Sequence, residues 1–261
     1  MENRLSNILT DEGPAVGNWI SIGHPAIAEI SAVPGFDFVV IDTEHTSIGI
    51  ETLEDMIRAV EAGDSGVEPI VRIPWNDPVR IKRVLDLGAA GVMIPMIETV
   101  EAAEDAVNAM RYPPRGIRGV APARASEYGQ RFEEYFAAAN EQIVTIVQIE
   151  TEQGVNNVDE IAAVDGLDAI VVGHGDLSSS LGVFGEWDSD PFRDALITVL
   201  NAGKRSETPV GMLATDHKEI HRWADAGVDF MIVGGDMFYL IQGSNAAKEE
   251  FEQAVRDSTS N

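Results

Sequence analysis

Four short phrases in this chain concentrate groups able to do acid–base and charge chemistry. They are Asp42-Thr43-Glu44-His45, Arg72, Gln148-Ile149-Glu150 and Gly173-His174-Gly175-Asp176. Each closes a short run rich in Val and Ile. Glu150 and Asp176, brought to one place, make a hard oxygen-ligand site for Mg2+ or Mn2+, with water and substrate completing the shell. The plainer alternative makes each a member of a structural ion pair. His45 on its own would be a capping or surface residue, but behind two acids at a strand end it reads as a general base. Arg72 is either a neutralising partner for nearby acids or a bidentate receptor for a carboxylate.

Weaker signals surround these. Gly173-x-Gly175 opens a loop after a strand, yet position 178 is Ser, so the third glycine of a dinucleotide fingerprint is missing. The turn still offers backbone N–H groups to an anion. Gly234-Gly235 after the last strand reads as a second, weaker anion loop. His217 and His221 stand four apart on a helix, like two metal ligands, but the segment is amphipathic and lacks a zincin glutamate, so it reads as a solvated face. Ser178, Ser179 and Ser180 have no nucleophile elbow around them. Four lysines are present, Lys82, Lys204, Lys218 and Lys248, and none falls at a strand end. Schiff-base chemistry, which needs a lysine projecting into the site, is thereby disfavoured.

The elements that must position these residues follow from periodicity. Strands are expected at Trp19–Ile22, Phe38–Ile41, Ile70–Ile73, Gly91–Pro95, Ile143–Ile149, Ala169–Val172, Val210–Leu213 and Phe230–Val233. Helical spacing lies between most of them, over Glu51–Ala62, Pro78–Leu87, Thr99–Met110, Val155–Val164 and His217–Ala226. Gly63, Gly88, Gly166, Gly203 and Gly227 fit helix C-caps. Eight strand–helix units predict a closed (β/α)8 barrel, with an open doubly wound sheet as the alternative. No composition shift marks a linker, so residues 1–261 read as one domain. Arg111–Asn140 is a long, turn-rich connection of the kind that often carries function. Residues from Met237 to Val255 read as a final helix. In a barrel the C-terminal strand ends converge on one mouth, which is where the four phrases fall.

Composition narrows the setting. No apolar run is long enough to span a membrane. The opening MENRLSNILTDEGP lacks the basic and apolar regions of a secretory signal, so a cytoplasmic location is expected. Without cysteine, any metal must be held by oxygen or imidazole. The 44 acidic and 18 basic residues give a formal charge of −26, spread through the helices. Such a surface repels nucleic acid and anionic membranes. Acid excess combined with lysine depletion predicts a halophilic protein, adapted to molar salt where the Debye length falls to about 3 Å.

Taken together these phrases resemble a known family, the class II pyruvate aldolases of the HpcH/HpaI type. Asp-Thr-Glu-His (42–45), Val-Arg-Ile-Pro-Trp-Asn-Asp-Pro (71–78), Arg-Tyr-Pro-Pro-Arg-Gly-Ile-Arg-Gly-Val (111–120), Val-Gln-Ile-Glu-Thr (147–151) and Gly-Asp-Leu-Ser-Ser-Ser-Leu-Gly (175–182) carry the likeness, which runs over essentially the whole chain. The resemblance implies reversible cleavage of a 4-hydroxy-2-oxo acid to pyruvate and an aldehyde through a metal-stabilised enolate. It implies that Glu150 and Asp176 ligate a divalent metal (Mg2+, Mn2+ or Co2+) and that Arg72 binds the keto oxygen. Gln148 would orient the bound group, N–H groups at Gly175 and Asp176 would hold the carboxylate, and Leu213 would line the substrate pocket. His45 would move the proton of the 4-hydroxyl, with Asp42 orienting it. The resemblance also pairs Asp86 with that histidine. Asp86 ends a helix at the bottom of its own barrel, so it could serve only in a neighbouring subunit. A homo-oligomer is implied, a hexamer built as a trimer of dimers with exchanged C-terminal helices.

The chain departs from the family pattern at two points. Gly-Pro-x-Asp reads Gly173-His174-Gly175-Asp176, and the loop after Gly119 is short. The loop change borders the aldehyde side. Two other functions stand against the aldolase reading. One is a thioester lyase like the malyl- or citryl-CoA enzymes, which would need a basic patch for adenine phosphates, and no such cluster is present. The other is a catalytically silent binding protein, disfavoured by the joint presence of His45, Arg72, Glu150 and Asp176.

Overall fold

The computed structural model describes residues 14–63 and 66–259, together with Leu9. Most of the opening segment searched for a secretory signal therefore lies outside the described residues. Eight parallel strands form a closed barrel: β1 (Val16–Ile20), β2 (Phe38–Asp42), β3 (Glu68–Arg72), β4 (Gly91–Ile94), β5 (Val144–Ile149), β6 (Ala169–Val172), β7 (Val210–Ala214) and β8 (Phe230–Gly235). β8 pairs back onto β1, so the sheet has no edge and the open-sheet alternative is excluded.

Helices alternate with the strands. They are α1 (Pro25–Ala32), α2 (Ile50–Ala62), α3 (Pro78–Asp86), α4 (Val100–Met110), α5 (Phe132–Gln142), α6 (Glu152–Asn156), α7 (Val158–Ala162), α8 (His174–Ser180), α9 (Asp190–Ser206), α10 (His217–Ala226) and α11 (Asp236–Thr259). Asp77, Thr99, Thr151 and Asp216 each accept a hydrogen bond from a first-turn amide, which satisfies donors the helix itself cannot. No helix among the described residues is long and apolar enough to cross a membrane.

Strand alternation decides which side chains enter the barrel. Along β2, Val39 and Ile41 pack outward against the helices, while Phe38 and Val40 point inward. Parity therefore sends Asp42 inward at the top. The same rule sends Arg72 inward above Ile70, and Gln148 and then Glu150 inward above Ile146. The floor is aromatic: Phe38 and Phe230 meet edge to face at 6.3 Å. Each ring lies over a glycine, and a Cβ on Gly17 would come within 2.3 Å of Phe38, one on Gly211 within 2.4 Å of Phe230. This floor explains why β1 begins at Val16, three residues before the expected Trp19. Gly17 is a strand residue whose lack of a side chain admits the ring.

Three other expectations need correction. The helix expected over Val155–Val164 is two short helices that meet at Asn157, whose backbone leaves the α-helical region (φ −104°, ψ 5°) and whose side-chain Nδ2 donates to the Glu98 carbonyl at 2.7 Å. Gly203 is no C-cap; it lies inside α9, where a Cβ would meet Val210 at 2.5 Å, and the cap is Glu207 in the left-handed region; Gly166 likewise lies three residues past Ala163, the cap of α7. Finally, the long connection from Arg111 contains α5 and a 3-10 turn at Arg124–Ser126. Gly63 caps α2, Gly227 caps α10 with φ 84°, and the final helix runs from Asp236.

Candidate active site

Asp42 and Arg72 are direct neighbours across the β2–β3 ladder. Arg72 donates from Nε and Nη2 to the two Asp42 carboxylate oxygens at 2.9 and 2.8 Å, a fork-to-fork pair. Its Nη1 lies 3.0 Å from Glu44 Oε2, and its guanidinium carbon stands 4.5 Å from the centre of the Trp19 ring. Burying a guanidinium is costly unless it is paired. Here two carboxylates and an aromatic face hold it in a single orientation. The loop after β2 folds back on the same acid: Asp42 Oδ1 accepts from the Glu44 amide at 2.9 Å and from the His45 amide at 3.4 Å.

These contacts correct one expectation. Asp42 was expected to orient the His45 imidazole, but it holds Arg72 and the main chain of the loop instead. The carboxylate beside the imidazole is Glu44, 3.8 Å from Nε2. The His45 side chain is 66% exposed and stands at the rim, where it can reach an incoming molecule.

Across the mouth, Glu150 is 3% exposed. Its Oε1 accepts from the Met96 amide at 2.6 Å and its Oε2 from Gln148 Nε2 at 3.2 Å. Burial pushes its carboxyl up to about 7; the Met96 amide and Arg72 oppose this, and the negative charges of Asp176 and Glu44 add to it. Burial likewise raises Glu44, with Arg72 opposing. Gln148 Oε1 is buried without a hydrogen-bond partner among the described residues. Gly173 explains the first residue of its phrase, because a Cβ there would lie 2.3 Å from Glu150 Oε2. Asp176 sits exposed in the first turn of α8, and Leu213 packs half-buried against the barrel interior. Asp42 and Glu44 thus pair with the one guanidinium, while Glu150 feels the negative charge of both Glu44 and Asp176. Such a mouth attracts a cation, and its donors are all hard oxygens suited to a divalent ion.

The remaining residues lie elsewhere. His174 is half-buried against Trp187 at 4.9 Å and Trp223 at 5.8 Å, and desolvation lowers its pKa against the pull of Glu219 and Asp176. Gly234 takes φ 62° beneath Tyr239, whose hydroxyl donates to the Val233 carbonyl, so no open anion loop forms there. Asp86 ends α3 and accepts from Arg118 Nη2 at 2.9 Å; within the chain it is not joined to the mouth cluster. A cavity of about 520 Å3 at the opposite end of the barrel is lined by Val67, Pro69, Ala89 and Ile143 and shares no residue with the mouth.

Sequence reasoning missed Trp19, Glu44 as a partner of Arg72, Met96, and the part Gly173 plays in making room for Glu150. Inward parity in β1 could have found Trp19. Nothing local marks Met96, whose φ of 56° aims its amide at Glu150.

Comparison with known proteins gives a consistent result. A family model described as HpcH/HpaI aldolase/citrate lyase matches residues 16–243. The chain is 40% identical over 249 residues to a 4-hydroxy-2-oxovalerate aldolase of Novosphingobium aromaticivorans, covering 94% of this chain and 93% of that protein. It is 37% identical over 251 residues to a 5-keto-4-deoxy-D-glucarate aldolase of Escherichia coli O139:H28, covering 96% and 97%. The crystal structure of an HpcH/HpaI aldolase/citrate lyase family protein from Burkholderia cenocepacia J2315 superimposes with a TM-score of 0.92 at 37% identity, covering 96% of this chain and 99% of that one.

Proposed function

The chain belongs to the HpcH/HpaI aldolase/citrate lyase family, and on that premise we propose that it is an aldolase cleaving a 4-hydroxy-2-oxo acid to pyruvate and an aldehyde. The observation that carries the site assignment is the meeting, in one barrel mouth, of a rigidly paired Arg72 with the buried carboxylate Glu150. Two carboxylates facing a mouth with excess negative charge fit a divalent cation, and Glu150 and Asp176 are the residues that would hold it. When bound, such an ion would act as a Lewis acid on the substrate's keto oxygen.

The chain's own groups account for the rest. N–H groups of Gly175 and Asp176 at the start of α8 receive the substrate carboxylate, and Leu213 lines the pocket. Gln148, with an unpartnered buried oxygen, orients the bound groups. Arg72 is fixed before substrate arrives, so it meets the negative charge that develops on the keto oxygen without reorganising. During cleavage His45 takes the proton from the 4-hydroxyl as the C3–C4 bond breaks; C4 leaves as the aldehyde, and a proton then reaches C3. Glu44, close to both Arg72 and His45, couples the charge of the two. Asp86 would join His45 only from a neighbouring subunit. Exposed Phe238, Leu240 and Ile241 on α11 favour a homo-oligomer, with exchange of this helix in a trimer of dimers as the specific form proposed. A cytoplasmic, salt-adapted enzyme of one domain over residues 1–261 completes the reading.

The test is pyruvate release from a panel of 4-hydroxy-2-oxo acids in high salt, with Mg2+, Mn2+ or Co2+ and with EDTA as control. Asp176→Ala should abolish metal-dependent turnover, and full activity in that variant would overturn the ligand assignment. His45→Ala should slow cleavage about 10²–10⁴-fold while sparing pyruvate proton exchange; equal losses in both would remove it from the hydroxyl. Release from none of the substrates by folded, metal-loaded protein would favour the thioester-lyase reading.

A further inference from the structure

We propose that His217 and His221 form a second metal site on the exposed face of α10, selective for cations that prefer imidazole, such as Cu2+, Ni2+ and Zn2+. Residues four apart share a helix face, which the sequence alone makes compatible with either a solvated stripe or a chelate. The structure brings the two rings together: Nε2 lies 3.2 Å from Nε2, with centroids 4.4 Å apart and planes at 89°. With metal–nitrogen bonds of about 2.0–2.1 Å, that separation corresponds to an N–M–N angle of about 100°, between the cis-octahedral and tetrahedral values. Both side chains are exposed, so an ion placed there keeps water in its remaining positions and loses little hydration.

The local charge supports cation binding. His217 opens the helix, where the macrodipole disfavours a cation. Asp216, immediately before it, offsets this with a carboxylate that accepts from the Lys218 and Glu219 amides. Arg222 is drawn to Asp188 at 3.1 Å. The chain's formal charge of −26 further concentrates cations at its surface. Among the described residues no third His, Asp or Glu completes a cage. The site is therefore a two-imidazole, exchangeable one, and its ligand chemistry separates it from the all-oxygen mouth. Mg2+ takes oxygen ligands and leaves imidazole alone, whereas Cu2+ is bound most strongly of the divalent series by nitrogen sites.

That contrast supplies the test. Protein held in excess Mg2+ is titrated with Cu2+ and followed by electron paramagnetic resonance and calorimetry. Wild type should show nitrogen hyperfine structure from two imidazoles. His217→Gln and His221→Gln should each leave one nitrogen and weaken binding at least tenfold, and the double variant should lose both nitrogens. Pyruvate release with Mg2+ alone should be unchanged in all three. A two-nitrogen signal that survives in the double variant would place the copper elsewhere. Absence of any such signal in wild type would mean that the rings merely share an N–H···N hydrogen bond.

Discussion

Glu150 shows how burial and neighbouring charge set the behaviour of a single residue. Its carboxyl is raised from 4.5 to about 7 in the folded chain, so between those values the folded state keeps a proton that the unfolded state has lost. The resulting stabilisation of the metal-free protein is fully present below about pH 4.5 and is lost as pH rises through about 7. Its size is about 3 kcal/mol. Glu150→Gln keeps the acceptor for the Met96 amide and never ionises. In EDTA, denaturation curves of this variant and wild type should agree near pH 4.5 and diverge by pH 8, with the variant the more stable. Parallel pH profiles would show that burial does not raise this carboxyl. Because a metal ligand must be ionised, metal affinity should fall over the same window as pH drops below about 7.

At the scale of elements, α11 is the segment whose sequence and surroundings disagree most. It carries exposed Met237, Phe238, Leu240, Ile241 and Phe251, yet it is tied to the barrel through its first turn. There Asp236 accepts from the Ser21 and Ile22 amides, and Tyr239 reaches the Val233 carbonyl. An apolar helix surface of this kind in a folded chain calls for a protein partner. Replacing Phe238, Leu240 and Ile241 by Ser should lower the assembly mass measured by light scattering while leaving the circular dichroism of the barrel in place. An unchanged mass would mean that assembly uses another face. The existence of this helix was legible in the periodicity; that its far end leaves the barrel was not, because its apolar positions look the same whether they face a barrel or a partner.

For the whole molecule, the charge of −26 is the dominant long-range term. Arg124–Glu61, Arg205–Asp159 and Arg222–Asp188 use scarce cations against abundant acids, so most surface carboxylates face like charge. The Debye length falls from about 10 Å at 0.1 M to about 3 Å at 1 M, which removes most of that repulsion. We therefore expect Tm to climb several degrees between 0.1 and 2 M KCl, at about 2–4 °C for each kcal/mol relieved in a chain of this size. A flat profile would count against salt adaptation.

The sequence by itself determined the eight strands, their parallel barrel, the strand ends that gather Asp42, Arg72, Gln148 and Glu150, and the family. These rest on local period and short phrases: a period of two sends Asp42, Arg72, Gln148 and Glu150 to the inner side of their strands wherever the barrel closes. Tertiary structure alone decided who meets whom. The β2–β3 register sets Asp42 against Arg72, and so takes from His45 the partner expected for it. A backbone twist at Met96 and the missing side chain of Gly173 shape the pocket of Glu150, and the fold leaves Asp86 with Arg118, away from the mouth. The physical reason is range. Alternation is fixed by neighbours along the chain, whereas an ion pair depends on register and closure between segments 30 or more residues apart.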